Sequence, residues 1–233
     1  MFLRRIVAGS ALARRQHFSR GLLDVAARRP KIAKSDVAIL LIDFQRAFLD
    51  GQWARGYGLE EVQPIVTAAA NTAEAFDRGW LDSVPAIYTR CYLDPPDAEP
   101  PDILDAALQP LPWVWKPSAN VMEAEGFSDW IEAQMAGGVR TLVVGGCTTT
   151  SCVRVSSQAV QQVYAAGGLQ VVVDLSLCGA RAQNGDPRLA LLDETLVELY
   201  GEEEVAGRSA VELAVLQMRR AGVQVVPRHE WEE

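Results

Sequence analysis

The chain has 233 residues, 49% of them hydrophobic, and a formal net charge of −8 at pH 7. This length suits one α/β domain with a sizeable core, and no stretch approaches the ~20 uninterrupted apolar residues of a membrane span, so we expect a soluble protein without a membrane partner. Outside the first thirty residues, 15 basic residues face 29 acidic ones, a balance that repels phosphate backbones and argues against nucleic acid as a partner.

Residues 1–30 differ in composition from the rest of the chain. They contain seven arginines, no lysine and a single acidic residue, Asp24. This composition is typical of an amphipathic organelle transit peptide, although an ordinary basic N-terminal helix is the alternative. We therefore predict a mitochondrial transit segment over residues 1–30 and one folded domain over residues 31–233. Without targeting, the protein would be cytoplasmic.

The first elements of the predicted domain are two strands and a helix. The run "VAILLIDF", residues 37–44, is continuously apolar, the pattern of a strand buried on both faces of a parallel sheet. A helix is predicted over residues 59–79 and a second strand over residues 83–91. The Pro- and acid-rich stretch at residues 93–102 then predicts a loop, long enough to cover a site.

The alternation of strands and helices continues to the end of the chain. Further strands are predicted at residues 111–116, 139–146, 169–175 and 223–227, and further helices at residues 128–136, 150–166, 188–200 and 209–220, with a polar loop at residues 179–187. This alternation predicts a single-domain α/β fold of three layers, a doubly wound parallel sheet with helices on both faces. In such sheets the ligand crevice lies beyond the carboxyl ends of the strands.

Three side chains with catalytic potential stand near such strand ends. Asp43 closes the first strand, Lys116 follows "WVW", and Cys152 lies at the start of the helix after "VVGG". A thiol in the first turn of a helix experiences the amide dipoles, which favour the thiolate and lower its pKa, and a nearby lysine acts in the same direction. Each residue also has an ordinary interpretation: a capping aspartate, a surface lysine or a buried structural cysteine.

Several other kinds of chemistry are excluded by missing residues. The two histidines, His17 and His229, lie near the two ends of the chain, so neither a Cys-His dyad nor a Ser-His-Asp triad is attractive, and no G-x-S-x-G elbow is present. No clustered Cys and His ligands indicate zinc, and "GGCTTT" lacks the G-x-G-x-x-G and Walker patterns. We therefore predict no metal and no cofactor. A base for Cys152 would have to be something other than histidine, and Asp43 and Lys116 are the pair available at the same edge of the sheet.

The spacing of the four cysteines does not indicate a disulfide framework. They are too few and too scattered for a disulfide scaffold in a chain of this size, so we interpret them as reduced thiols. Cys147 and Cys152 are separated by four residues, which does not match a C-x-x-C redox pair.

The motifs "LLIDFQRAF", the lysine after a strand and "GGCTTTSCVRVSSQ", in this order, resemble those of the isochorismatase-like cysteine hydrolases, which include nicotinamidases and N-carbamoylsarcosine amidases. The most specific part is the G-x-x-T-x-x-C-V element that ends at Val153. The resemblance implies a catalytic triad of Asp43, Lys116 and Cys152. It also implies a cis peptide between Cys147 and Thr148, and an oxyanion hole formed by the backbone amides of Thr148 and Cys152.

The resemblance further implies a function. The chain would hydrolyse a small-molecule amide, ureide or carbamoyl compound through a covalent acyl-enzyme, and it would assemble as a homo-oligomer. Gln45, Arg90 and Trp115 are candidates for substrate binding, Arg90 for a substrate carboxylate. Two departures from the family pattern bear on the substrate: no histidine follows the second strand, where nicotinamidases hold a metal, and "KPSANVM" replaces the usual Ser-Ala-Phe. The alternative is a catalytically weak family member with a binding or assembly role.

Overall fold

Within residues 36–79 and 84–230, which the computed structural model describes, six strands form one parallel sheet. The transit segment predicted over residues 1–30 lies outside the described residues. The strands are β1 (Val37–Ile42), β2 (Ala86–Cys91), β3 (Trp113–Lys116), β4 (Thr141–Cys147), β5 (Gln170–Gly179) and β6 (Gln224–Val226). Their order across the sheet is β3-β2-β1-β4-β5-β6.

The described residues contain ten α-helices, and every helix predicted from the sequence has a counterpart among them, one of them in two parts. They are α1 (Arg46–Leu49), α2 (Gln52–Tyr57), α3 (Leu59–Asp77), α4 (Asp102–Leu108), α5 (Phe127–Ala136), α6 (Arg154–Tyr164), α7 (Pro187–Ala190), α8 (Glu194–Tyr200), α9 (Glu202–Val205) and α10 (Ala210–Arg220). Among these helices, none is long and apolar enough to cross a membrane.

The two faces of the sheet carry separate hydrophobic cores, and β1 contributes to both. Ala38, Leu40 and Ile42 pack into one core together with residues of α5, α6 and α10. The alternate residues of β1 pack into the other core, with residues of α3 and α4. Every residue of β1 is therefore buried, because the strand pairs with neighbours on both edges and is covered on both faces. The three-layer, doubly wound fold predicted from the sequence is confirmed.

Several element boundaries differ from the prediction. The single helix predicted over residues 188–200 is divided into α7 and α8, because the Asp193 side chain accepts hydrogen bonds from two backbone amides and starts a new helix there. The short helices α1, α2, α4 and α9 were not predicted, since few residues provide little helical periodicity. The strand β5 continues to Gly179, four residues beyond its predicted end at residue 175, after an irregularity in its pairing with β4.

Candidate active site

The site lies where the order of the strands reverses. The chain passes from β1 outward to β2 and β3 and then returns to β4, on the other side of β1. The crevice at such a reversal, beyond the carboxyl ends of the strands, is the usual ligand site of open α/β sheets. Asp43 directly follows β1, Lys116 ends β3, and Cys152 follows β4 by five residues. The topology therefore brings the three predicted catalytic residues to one edge of the sheet.

Lys116 joins the other two members of this triad. Its Nζ lies 2.9 Å from Asp43 Oδ2 and 3.5 Å from Cys152 Sγ, and it donates a hydrogen bond of 2.6 Å to the carbonyl oxygen of Ser118. The side chains of Asp43 and Lys116 are 0% and 1% exposed. An ion pair withdrawn from water to this extent is costly unless both charges are satisfied, so the pairing explains how both residues can remain charged.

Asp43 is fixed by neighbours that come from other parts of the chain. Its backbone has a φ of 49°, in the left-handed region that non-glycine residues seldom adopt. The hydroxyl of Thr89 donates to Oδ1 at 2.6 Å, and the amide of Asp43 donates to Thr89 Oγ1 at 3.2 Å. The buried thiol of Cys147 donates to the carbonyl oxygen of Asp43 at 2.9 Å. Oδ2, by contrast, accepts no hydrogen bond of good geometry from the described residues, so its contact with Lys116 is an ion pair.

Cys152 sits in a π-helical turn, Thr149–Val153, that directly precedes α6. The strand before it needs glycine at position 146. The φ of Gly146 is 119°, and a Cβ at this residue would lie 2.1 Å from the carbonyl oxygen of Ile42. The glycine therefore lets β4 approach the end of β1, where Asp43 follows.

The ionisation of Cys152 differs from the prediction. Burial raises the pKa of the Cys152 thiol, the Asp43 carboxylate raises it further, and Lys116 lowers it; the net direction is upward. The lowered pKa predicted from the helix position is therefore wrong, because loss of water and the neighbouring carboxylate outweigh the favourable charges. The resting site accordingly holds a neutral thiol beside a carboxylate.

Lys116 itself stays charged. Burial alone lowers the pKa of Lys116, but the attraction of Asp43 and Cys152 outweighs this cost and raises it above its usual value. At neutral pH Lys116 is therefore an ammonium and Cys152 a thiol.

The other cysteines are free, as predicted. Burial and the nearby Asp43 raise the pKa of Cys91 to about 12, and burial raises the pKa values of Cys147 and Cys178 well above the usual range. These thiols remain protonated at neutral pH, and Cys147 serves Asp43 as a hydrogen-bond donor. The peptide bond between Cys147 and Thr148 is cis, as the family resemblance implies. The assignment of the Thr148 and Cys152 amides as the oxyanion hole remains a prediction.

The predicted substrate-binding residues have other partners in the described part of the chain. The buried amide of Gln45 donates to the carbonyl oxygens of Cys91 and Ala98 and accepts the backbone N–H of Cys91. It therefore ties the end of β2 to the following loop. The Gln45 side chain makes no hydrogen bond with the described side chains of the triad, whereas its backbone amide donates to the carbonyl oxygen of Asp43 at 2.8 Å.

Arg90 and Trp115 belong to an aromatic cluster near the outer edge of the sheet. Arg90 pairs with Glu99 at 3.0 Å and lies 4.6 Å from the ring centre of Trp113. Trp115 stacks on Tyr92 with ring centres 5.0 Å apart, and both line a groove of about 460 Å³. Successive residues of a strand point to opposite faces, so Arg90 points away from the face on which its neighbour Thr89 meets Asp43.

Thr89 is the residue of the site that the sequence reasoning missed. Its signal was a polar side chain in the otherwise apolar "AIYT" of β2, on the strand that neighbours β1.

No group of three or more Asp, Glu, Cys or His side chains in residues 36–79 and 84–230 is arranged to hold a metal ion.

Comparison with known proteins provides independent information about this arrangement. A family model for the isochorismatase domain matches residues 37–191, whereas no curated protein matches the chain. Among solved structures, N-carbamoylsarcosine amidase from Thermoplasma acidophilum is 14% identical, with a TM-score of 0.53 over 85% of this chain and 99% of that one. The nicotinamidase of Staphylococcus aureus is 10% identical, with a TM-score of 0.54 over 82% and 98% of the two chains.

A third solved structure is that of an octamer. The YcaC gene product of Escherichia coli, an octameric hydrolase of unknown specificity, is 19% identical, with a TM-score of 0.51 over 85% of this chain and 78% of that one. At such identities the structural likeness demonstrates a shared fold only.

Proposed function

This chain belongs to the isochorismatase family, and from that premise we propose that it hydrolyses a small amide, ureide or carbamoyl compound through a covalent acyl-enzyme on Cys152. The observation that carries the proposal is the buried ammonium of Lys116, within 2.9 Å of Asp43 Oδ2 and 3.5 Å of Cys152 Sγ. A base, a nucleophile and a fixed positive charge in contact are the groups that covalent acyl transfer requires.

The first half-reaction begins from the neutral thiol. Asp43 Oδ2 takes the Cys152 proton while the sulfur attacks the substrate carbonyl carbon, so that a C–S bond forms and the carbonyl electrons move to oxygen. The oxyanion accepts hydrogen bonds from the backbone amides of Thr148 and Cys152. When the C–N bond breaks, Asp43 returns the proton to the leaving ammonia or amine. Lys116 remains an ammonium throughout and stabilises whichever partner bears the negative charge.

The second half-reaction uses the same groups on water. Asp43 removes a proton from a water molecule, whose oxygen adds to the thioester carbon. Collapse then breaks the C–S bond and releases the acid, and the proton on Asp43 returns to Cys152. The raised pKa of the thiol fits this scheme, because a thiol that is neutral at rest must lose its proton during the attack, to the carboxylate beside it.

The decisive experiment is a screen of small amides, ureides and carbamoyl compounds for ammonia or amine release, followed by substitution of the nucleophile. We expect Cys152→Ser to lower the rate by at least about three orders of magnitude without unfolding the protein. Mass spectrometry of the quenched wild-type reaction should find the acyl group on the peptide that contains Cys152.

Cys178→Ala provides the matched control, because this free thiol contacts the carbonyl oxygen of Val144 and, among the described residues, makes no hydrogen bond with the triad. Its activity should remain close to that of the wild type. Turnover by Cys152→Ser at the wild-type rate would disprove the mechanism. A wild-type protein that turns over nothing and acylates nothing would favour the binding or assembly role instead.

We further propose that the protein is a homo-oligomer in mitochondria. The assembly is supported by the octameric relative from Escherichia coli and the location by the seven arginines and single acid of residues 1–30. Light scattering on the purified protein tests the first proposal, and a monomer would contradict it. Sequencing the N-terminus of the native protein tests the second, and an intact Met1 in a cytosolic fraction would contradict it.

A further inference from the structure

The orientation of the Thr89 hydroxyl is determined by its two contacts with Asp43. A backbone N–H can only donate, so the amide of Asp43, 3.2 Å away, must be bound by a lone pair of Thr89 Oγ1. The single hydroxyl hydrogen is thereby left for Asp43 Oδ1, at 2.6 Å. This is the short distance of a hydrogen bond from a hydroxyl to a charged oxygen.

No solvent competes for these contacts. Both Asp43 and Thr89 are 0% exposed, and hydrogen bonds to a charged group gain strength where water is excluded. The carbonyl oxygen of Asp43 is also held, by the thiol of Cys147 at 2.9 Å and by the backbone amide of Gln45 at 2.8 Å. The N–H, the C=O and Oδ1 of Asp43 are thus all occupied, and Oδ2 alone faces Lys116.

We propose that Thr89 is a positioning residue that selects the oxygen of Asp43 that acts as the base. By occupying Oδ1, its hydroxyl directs proton transfer to Oδ2, the oxygen next to Lys116. By donating to the carboxylate, it also keeps the Asp43 side chain in this orientation. This role rests on the proposed hydrolysis, in which Asp43 must be ionised to accept the proton of Cys152.

The test compares Thr89→Val, which removes the hydroxyl at almost constant volume, with Thr89→Ser, which retains it. In Thr89→Val we expect kcat to fall about tenfold or more, with little change in KM. The pH–rate profile should change as well, because the oxygen that receives the proton of Cys152 is no longer fixed. Thr89→Ser should restore the wild-type profile.

A second readout needs no substrate. Iodoacetamide labelling of Cys152, followed by mass spectrometry across pH, reports the proton shared between Cys152 and Asp43. Without the Thr89 hydroxyl, the Asp43 carboxylate is no longer fixed beside the thiol, so its charge raises the pKa of Cys152 less, and labelling of Cys152 near neutral pH should be several-fold faster in Thr89→Val than in the wild type. This measurement separates a failure of the proposed function from a failure of the Thr89 role, because it does not depend on turnover.

Thr72→Val is the matched control, because it removes another fully buried hydroxyl, one that donates to the carbonyl oxygen of Ala68 within α3. It should leave the pH profile and the labelling rate unchanged. If Thr89→Val lowers only the melting temperature and shifts neither profile, Thr89 has a structural role and the proposal is wrong. The same conclusion follows if Thr72→Val and Thr89→Val have equal effects.

Discussion

At the residue scale, the reactivity of Cys152 results from opposing influences that come from different strands. Burial and the Asp43 carboxylate raise the pKa of its thiol, whereas Lys116 lowers it. Because the two charged neighbours have opposite signs, each can be removed separately and its contribution measured. Substitution of either charged neighbour therefore tests the electrostatics of the Cys152 thiol without a known substrate.

Asp43→Asn and Lys116→Met should move the ionisation of Cys152 in opposite directions. Wild-type Cys152 should alkylate with an inflection above pH 9, since its pKa is raised from 9.0. Asp43→Asn should lower the inflection, by removing the negative neighbour, and yet abolish hydrolysis, by removing the base. Lys116→Met should raise the inflection. The measurement is the rate of iodoacetamide labelling of the Cys152 peptide against pH, and shifts of the same sign in both variants would contradict this electrostatic account.

At the element scale, the close packing of α3 on β5 depends on one glycine. A Cβ at Gly179 would lie 2.5 Å from Ile65 Cα and 2.9 Å from the carbonyl oxygen of Pro64. These are backbone atoms of α3, which cannot move aside as a flexible side chain does. The helix can therefore approach the end of β5, near the edge of the sheet that bears the triad, only because position 179 has no side chain.

Gly179→Ala should consequently destabilise the protein, by about 2–3 kcal/mol, the upper part of the range for overpacked cores. Denaturant unfolding monitored by circular dichroism measures the loss. Gly185→Ala is the control, because a Cβ at that residue meets no atom within 4 Å; its free energy of unfolding should stay within about 0.5 kcal/mol of the wild type. Equal stability of the two variants would show that α3 can shift to make room for the added methyl group, and it would contradict the prediction.

At the scale of the whole molecule, the buried pair of Asp43 and Lys116 links the ends of β1 and β3, which are separated in the sheet by β2. A buried ion pair adds little net stability over a neutral pair of the same shape, but loss of one partner leaves an uncompensated charge in the interior. The fold therefore depends on both charges being present or both being absent.

Lys116→Met alone should lower the free energy of unfolding by about 3–5 kcal/mol, and the double variant Asp43→Asn with Lys116→Met should recover most of that loss. The two single variants and the double variant form a cycle that chemical denaturation can measure. An additive cycle, in which the double variant loses the sum of both single effects, would contradict the coupling.

The ion pair of Asp43 and Lys116 should also make the stability of the protein depend on pH in the alkaline range. The pKa of Lys116 is raised in the folded protein from 10.5, so its contribution is complete below that value and is lost as the pH rises through the folded-state pKa. The wild type should therefore lose stability above pH 10.5 more steeply than the double variant. Parallel curves for the two proteins over this range would contradict the prediction.

The sequence alone determined the class of fold and indicated the three candidate catalytic residues. The continuous apolar run of β1 is the pattern of a strand covered on both faces, and the alternation of strands and helices specified a parallel sheet, whose carboxyl edge is the same for every strand. Asp43, Lys116 and the cysteine after β4 stand at these strand ends, and the absence of suitable histidines singled them out. These features depend on local pattern and chain order, which the linear sequence contains.

The tertiary structure decided what depends on neighbours distant in the chain. Thr89 lies 46 residues from Asp43, and no local pattern relates the two, so its role could not be predicted. The direction of the Cys152 pKa was predicted wrongly for the same reason: the dipole of its helix is a local property, whereas the loss of water and the charge of Asp43 arise from packing. Gln45 and Arg90 were likewise found bonded to partners that only the folded chain brings near them. Burial and through-space charge, and hence the chemistry of the site, are properties of the assembled fold.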